Sequence, residues 1–232
     1  MAKIFRFSDL GKADYGWLKA NYHFSFANYY NPNRTGFGKL LVINDDKVSA
    51  GKGFAPHSHK DMEIITYVRS GAITHQDSLG NKGRTIAGDV QVMSAGSGIT
   101  HSEYNYETED TTLFQIWIQP NEMGVKPRWD ARKFPKEISE NSLTLLVSGR
   151  KEDEHLSPLF IYQDAAIWGG NLKANSLVNH KVKYNSYILA SKGEFEINGQ
   201  KMQQGDGAEV KEAKEIQIKT FTDSEIIVID TP

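Results

Sequence analysis

Short runs of β-branched and aromatic residues recur along the whole 232-residue chain, each closed within a few positions by turn-forming residues. Glu63-Ile-Ile-Thr-Tyr-Val, Asp89-Val-Gln-Val-Met, Thr112-Leu-Phe-Gln-Ile-Trp-Ile, Ser186-Tyr-Ile-Leu-Ala and Glu225-Ile-Ile-Val-Ile are the clearest. His23-Phe-Ser-Phe, Lys39-Leu-Leu-Val-Ile, Leu143-Thr-Leu-Leu-Val, Leu159-Phe-Ile-Tyr, Gly193-Glu-Phe-Glu-Ile-Asn and Glu215-Ile-Gln-Ile-Lys read the same way. The turns are expected at Asn44-Asp-Asp, Ser70-Gly, Asp77-Ser-Leu-Gly-Asn, Asn198-Gly and Gln204-Gly-Asp-Gly. Many short strands at regular spacing demand a sandwich or barrel, because a single open sheet cannot bury that many apolar faces. The fold class is therefore all-β. Helical periodicity is nearly absent; Trp129 to Glu140 is the one stretch that suggests a short turn of helix.

The strand pattern occurs twice. Tyr67-Val-Arg-Ser-Gly71-Ala-Ile-Thr-His, then a turn and Gly88-Asp-Val-Gln-Val, is one copy. Tyr187-Ile-Leu-Ala-Ser-Lys-Gly193-Glu-Phe-Glu-Ile-Asn-Gly, then Gly205-Asp-Gly-Ala-Glu-Val, is the other. A degenerate internal repeat of this kind implies two similar structural units. The expected division is residues 1–125 and 126–232, with Pro120, Pro127 and Pro135 near the joint.

Two short segments carry chemistry. Gly51-Lys-Gly-Phe-Ala-Pro-His57-Ser-His59 is followed about 40 residues on by Gly96-Ser-Gly98-Ile-Thr-His101-Ser-Glu103. Residues i and i+2 of a strand share a face, their Cα atoms roughly 6.5–7 Å apart. Two imidazoles so placed can converge on one ion at roughly 2.0–2.2 Å. His101 and Glu103 repeat the spacing, so the candidate ligands are His57, His59, His101 and Glu103. Imidazoles with one carboxylate suit iron, manganese, cobalt, nickel, copper or zinc rather than calcium or magnesium. Four protein ligands leave positions open for a substrate on an ion that takes five or six.

Other residues weigh less. Glu63 is expected to support the site rather than ligate. His75 is expected at the surface or steadying the Asp77 turn, His23 in the core, and His155 in a solvated loop. Strand Phe114-Gln-Ile-Trp117 is expected in the core, with one face available to line a pocket. Sliding one copy of the repeat onto the other places Asn179 and Lys181 at His57 and His59, and Ile218 and Thr220 at His101 and Glu103. The second copy thus has no ligand set, and one metal per chain is expected; His180 lies close by and is read as ordinary.

Composition sets outer limits. With 27 basic and 29 acidic residues and no long basic run, nothing marks a nucleic-acid or anionic-membrane surface. The absence of cysteine rules out disulfides, thiolate metal sites and thiol nucleophiles. No apolar run of about 18 residues is present, as a membrane helix would require, and the opening residues lack a signal-peptide pattern. A cytoplasmic protein is expected.

At the level of motifs the chain resembles the pirin family. The residues that carry the likeness are Pro56-His-Ser-His-Lys-Asp-Met-Glu-Ile-Ile-Thr-Tyr-Val, His75-Gln-Asp-Ser-Leu-Gly-Asn, Ala95-Gly-Ser-Gly-Ile-Thr-His-Ser-Glu103 and His23-Phe-Ser-Phe-Ala-Asn-Tyr-Tyr-Asn-Pro. Ser94 departs from the general cupin pattern, where proline is usual, and pirin-like proteins share that departure. The resemblance implies two stacked cupin barrels of jelly-roll type (a bicupin) with one divalent transition metal, iron first, in the N-terminal barrel on His57, His59, His101 and Glu103. It also implies one of two activities. The first is a dioxygenase that opens the heterocycle of a flavonol such as quercetin with O2 and releases carbon monoxide, Glu103 acting as base. The alternative is a non-enzymatic, iron-binding redox sensor that docks a regulatory protein.

Overall fold

The computed structural model describes residues 2–232. Strands dominate it. The only helices among the described residues are the 3-10 turns Phe7–Asp9 and Lys151–Leu156. No helix is long and apolar enough to cross a membrane. The chain divides into two compact units. One holds Gly11–Phe134 and Leu159–Gln163; the other holds the opening segment up to Leu10, Pro135–Pro158 and Asp164–Pro232.

In the first unit a seven-stranded sheet runs in the order Arg128–Arg132, Val90–Ser94, Glu63–Ser70, Thr111–Ile118, Leu40–Val48, Leu18–Tyr22, Gly11–Asp14. A four-stranded sheet runs Gly53–His59, Ile99–Tyr104, Ala72–Asp77, Lys82–Ile86. The side-chain period of two decides what lies between them. On Thr111–Ile118, Phe114, Ile116 and Ile118 are completely buried on one face. Gln115 and Trp117, on the other, line a cavity, as the alternation of that strand allowed. Each fully buried Phe or Ile contributes about 1.5–3 kcal/mol of apolar burial, so this central strand anchors the unit.

The second unit repeats the plan. Its larger sheet contains Ala2–Phe5, Gly207–Val210, Asn185–Lys192, Ser224–Thr231, Ala166–Leu172 and Thr144–Ser148 in that order. Its smaller sheet runs Leu177–Lys181, Glu215–Thr220, Glu194–Ile197, Gln200–Gln203. The matching glycines do the same job in both. Gly71 and Gly193 join consecutive strands with φ of +73° and +86°. A Cβ would stand 2.5 Å from Thr111 Oγ1 at Gly71 and 2.5 Å from Ser224 Oγ at Gly193. Positive φ and close strand approach both demand glycine there.

Three local expectations fail, each because packing overrode propensity. Asn44-Asp-Asp is not a turn; it lies inside strand Leu40–Val48, where all three side chains are buried. His23-Phe-Ser-Phe is not a strand. The preceding Leu18–Tyr22 is, and the chain then closes a loop in which Ser25 Oγ accepts from Asn31 N and Phe26 bridges Tyr29. Trp129 is not helical; Arg128–Arg132 pairs with Val90–Ser94 as an edge strand, because that places the indole ring in the interior.

The first unit should therefore be sensitive at Gly71 in a graded way. Gly71→Ala is expected to cost about 2–4 kcal/mol, from left-handed strain plus overpacking against Thr111. Gly51→Ala has φ of +69° but open space around it, and should cost only about 1–2 kcal/mol. Urea unfolding of both variants would reveal the difference; equal losses would mean that the contact with Thr111 is unimportant.

Candidate metal centre

Strands Gly53–His59 and Ile99–Tyr104 pair antiparallel with His57 directly opposite His101. The register shifts between His101 and Glu103, so that Glu103 faces Phe54. This irregularity lets the Ala55 carbonyl turn to accept a hydrogen bond from His57 Nδ1 at 2.7 Å. The bond leaves His57 Nε2 as the free nitrogen. The rings of His57, His59 and His101 stand 4.6–5.1 Å apart centroid to centroid. One potential ligand atom from each lies within 4.8 Å of the other two.

Burial keeps the His59 and His101 rings neutral. Burial pushes His59 down to about 4, with the neighbouring His57 adding to the effect. Burial likewise lowers His101 to about 3, reinforced by His57, His59 and His75. Neutral imidazole is the form that binds a metal. His101 Nε2 is buried without a hydrogen-bond partner, an unmet acceptor that a cation would satisfy. The donor set and this orphaned nitrogen together fit a borderline divalent ion. Among the described residues no other group of three potential ligands converges in this way.

Glu103 lies on the same strand as His101 but its carboxylate is engaged elsewhere. Gln91 Nε2 donates to Oε1 at 2.6 Å, Thr66 Oγ1 donates to Oε1 at 3.1 Å, and Gln115 Nε2 donates to Oε2 at 2.7 Å. All three donors come from the facing seven-stranded sheet. Burial raises the Glu103 pKa; the neighbouring His75 ring and the hydrogen bonds from Gln115 and Thr66 oppose that rise. Glu103 is therefore not one of the converging group of three, although it lines the same cavity.

That cavity has a volume of about 470 Å³. His57, His59 and His101 line it, and Trp17, Tyr22, Phe26, Phe54 and Trp117 supply aromatic walls. Trp117 meets His59 edge to face at 5.0 Å and Phe26 at 5.5 Å. Asn44 and Asp46, two apart on strand Leu40–Val48, add polar groups to the lining. Asp46 is raised well above an ordinary carboxyl by burial, with Asp45 and Glu103 adding to it.

The remaining histidines and Glu63 sort as follows. His75 is not at the surface: it is fully buried, bonds Asp77 and stacks on Trp129. His23 is buried in the core and His155 is exposed, as expected. Glu63 accepts from Ser94 Oγ at 2.8 Å, which gives the serine at that position a purpose. In the second unit the register pairs Val178 with Ile218 and His180 with Ile216. The connection from that strand to Gly193 is one residue longer than its counterpart before Gly71, so Val178 and His180, not Asn179 and Lys181, occupy the inward places. One histidine against Trp168 is left, and no ligand set.

Sequence reasoning missed Thr66, Gln91 and Gln115. A usable signal was present: each is a polar residue between two apolar or aromatic neighbours within a strand, and buried polar groups need partners.

Comparison with known proteins matches this architecture. Residues 5–118 match the Pirin family model and residues 145–231 match the quercetinase C-terminal cupin domain model. A pirin-like protein of Caulobacter vibrioides is 49% identical over 97% of both chains. The chain belongs to the pirin family. A quercetin 2,3-dioxygenase of Escherichia coli K12 is 42% identical to this pirin over 97% of its chain and 96% of the relative's. The crystal structure of bacterial pirin YhhW from Escherichia coli in complex with nickel(II) superposes with a TM-score of 0.92 at 41% identity, covering 100% of this pirin and 99% of that chain. The all-β bicupin fold follows.

Burial raises Glu63 from 4.5 to about 7, against the opposing hydrogen bond from Ser94. A carboxyl whose folded pKa lies above its unfolded value binds more protons when folded, so it erodes stability as pH rises between the two values. The full cost is present above about pH 7. Glu63→Gln should thus gain on wild type between about pH 5 and pH 8, by on the order of 3 kcal/mol. Urea denaturation at both pH values checks this; a pH-independent difference would contradict it.

Proposed function

We propose that this pirin is a metal-dependent dioxygenase acting on a flavonol such as quercetin, consuming O2 and releasing carbon monoxide. The observation that carries the reading is the meeting of three bare imidazole nitrogens at one wall of an aromatic-lined cavity of about 470 Å³. That volume is within the range of small-molecule pockets, roughly 300–1,000 Å³. Relatives at 41–42% identity that carry the quercetin 2,3-dioxygenase name or hold nickel(II) support it.

In this reading His57, His59 and His101 hold one divalent transition ion, with Glu103 completing the set. Iron is the first expectation, and the donors equally suit manganese, cobalt, nickel, copper or zinc. The ion supplies Lewis acidity, making the hydroxyl of a hydroxy-carbonyl pair easier to deprotonate. The protein does the rest. Trp17, Phe26, Phe54 and Trp117 form apolar walls that hold a flat ring system and exclude water. Glu103 takes the proton of the substrate's 3-hydroxyl. Its elevated pKa makes it a better proton acceptor than an exposed glutamate. The donors from Thr66, Gln91 and Gln115 keep the carboxylate aimed while it works. In the net reaction both atoms of O2 enter the product, and one ring carbon departs as carbon monoxide.

The metal-loaded protein is expected to consume quercetin and O2 together and to evolve CO. Chelation should abolish turnover, and re-addition of metal should restore it. Glu103→Gln is expected to lower kcat by about 10²–10⁴-fold while elemental analysis shows metal still bound. Unchanged kcat at normal metal content would remove Glu103 from the base role. A lack of flavonol turnover with iron, manganese, cobalt, nickel and copper alike would remove the dioxygenase reading altogether.

A further inference from the structure

A second cluster of titratable side chains lies behind the three histidines, and the proposed chemistry has not used it. His75 and Asp77 sit two apart on strand Ala72–Asp77, which pairs with the strand carrying His101. Their side chains are fully withdrawn from solvent. Asp77 lies directly opposite His101, and His75 lies opposite Glu103. His75 therefore reaches His101 diagonally: the two Nδ1 atoms are 3.4 Å apart. On its other side, His75 Nε2 is 3.0 Å from Asp77 Oδ2.

The protons in this chain can be placed by counting donors. Asp77 Oδ1 accepts from the backbone N–H of Leu79 at 2.9 Å and of Asn81 at 3.1 Å. Oδ2 accepts from Asn81 Nδ2 at 2.9 Å. Three contacts to groups that only donate hold the carboxyl as an acceptor, so the fourth, His75 Nε2, carries its proton. With His75 as a neutral imidazole, that N–H is its only one, which leaves Nδ1 as an acceptor. The partner across the 3.4 Å contact, His101 Nδ1, must then be the donor. Its single proton spent there, His101 presents Nε2 as a bare lone pair. That is the atom found buried and without a partner.

Packing holds the relay rigid. The His75 ring stacks on Trp129 at 4.9 Å with only 8° between planes. Gly83, opposite His75 in the next strand, makes room: a Cβ there would stand 2.1 Å from Trp129 Cη2. Trp129, Gly83 and Asp77 thus all constrain one ring that does not itself join the ligand group.

We propose that Asp77 and His75 form a positioning relay that fixes the tautomer and orientation of His101 and thereby sets the metal affinity of the centre. The relay rests on the reading of His57, His59 and His101 as a metal site. It is a partner contact of the kind that orients ligating histidines and raises their basicity, and its loss elsewhere typically weakens metal binding about 10–100-fold.

The test begins with purified metal-free wild type titrated with nickel(II) and with ¹⁵N-histidine NMR of the same protein. One nickel per chain and a His101 protonated at Nδ1 are expected. His75→Phe keeps a flat ring for Trp129 but removes both polar contacts; its nickel affinity should fall about 10–100-fold with a cooperative unfolding transition retained. His75→Gln, which keeps an acceptor oxygen and an N–H, should fall between that variant and wild type. If His75→Phe does not fold, His75→Gln and the wild-type spectrum decide. A His75 variant that folds and binds nickel as tightly as wild type overturns the relay, as does a His101 proton found on Nε2. Wild type that binds no nickel overturns the metal centre itself, before any substitution is made.

Discussion

The site depends on one antiparallel pairing, that of Gly53–His59 with Ile99–Tyr104. A strand register is all-or-none in its effect on side chains: a slip of one residue turns every inward group outward. Here the register sets His57 against His101, brings His59 to the same face, and leaves Glu103 aimed across the interior. The irregularity between His101 and Glu103 frees the Ala55 carbonyl to orient the His57 ring. Three imidazoles from two strands then meet with no loop needed to bring them together. Sites built on paired strands hold their geometry better than sites on mobile loops.

The facing sheet contributes the polar counterpart. A carboxylate as buried as Glu103 would be costly without partners. Thr66, Gln91 and Gln115 provide them from three adjacent strands. Thr85 Oγ1 in turn donates to Gln91 Oε1 at 3.0 Å, which orients that amide. The two sheets are thus tied through a hydrogen-bonded network across a largely aromatic cavity. Such networks are stable only when fully satisfied, and the one around Glu103 is. The cavity-lining residues that keep an unsatisfied buried atom are Asn44 and Asp46, each at Oδ1, and His101 at Nε2, the last being the atom the proposed centre would use.

The two units show how a fold can persist while its chemistry goes. Both have the same order of strands, the same positive-φ glycine between the paired strands, and the same contact from that glycine to the next strand. In the second unit the inward places hold Val178, Ile216 and Ile218, which join a continuous apolar core with Phe195 and Ile188. Apolar packing fills the space that the cavity occupies in the first unit. His180 survives there as a ring packed against Trp168.

The all-β class, the repeat, most strands and the grouping of His57, His59 and His101 were legible in the amino-acid order alone. Alternation with period two and fixed spacings are local properties, and local properties are written in the chain. What the order could not reveal was which residues meet across sheets. Asn44-Asp-Asp has turn composition, yet lies within a strand because Thr111–Ile118 and Leu18–Tyr22 flank it on both sides. Trp129 is distant in sequence from His75, and only the closing of one sheet over the other stacks them. The identity of the inward residues in the second copy turned on a single extra residue before Gly193, which only the ladder register disclosed. Sequence determined the elements and the candidate ligands; tertiary structure decided the contacts among the histidine rings, the partners of Glu103 and the shape of the cavity, because those arise from contacts between strands that no local pattern encodes.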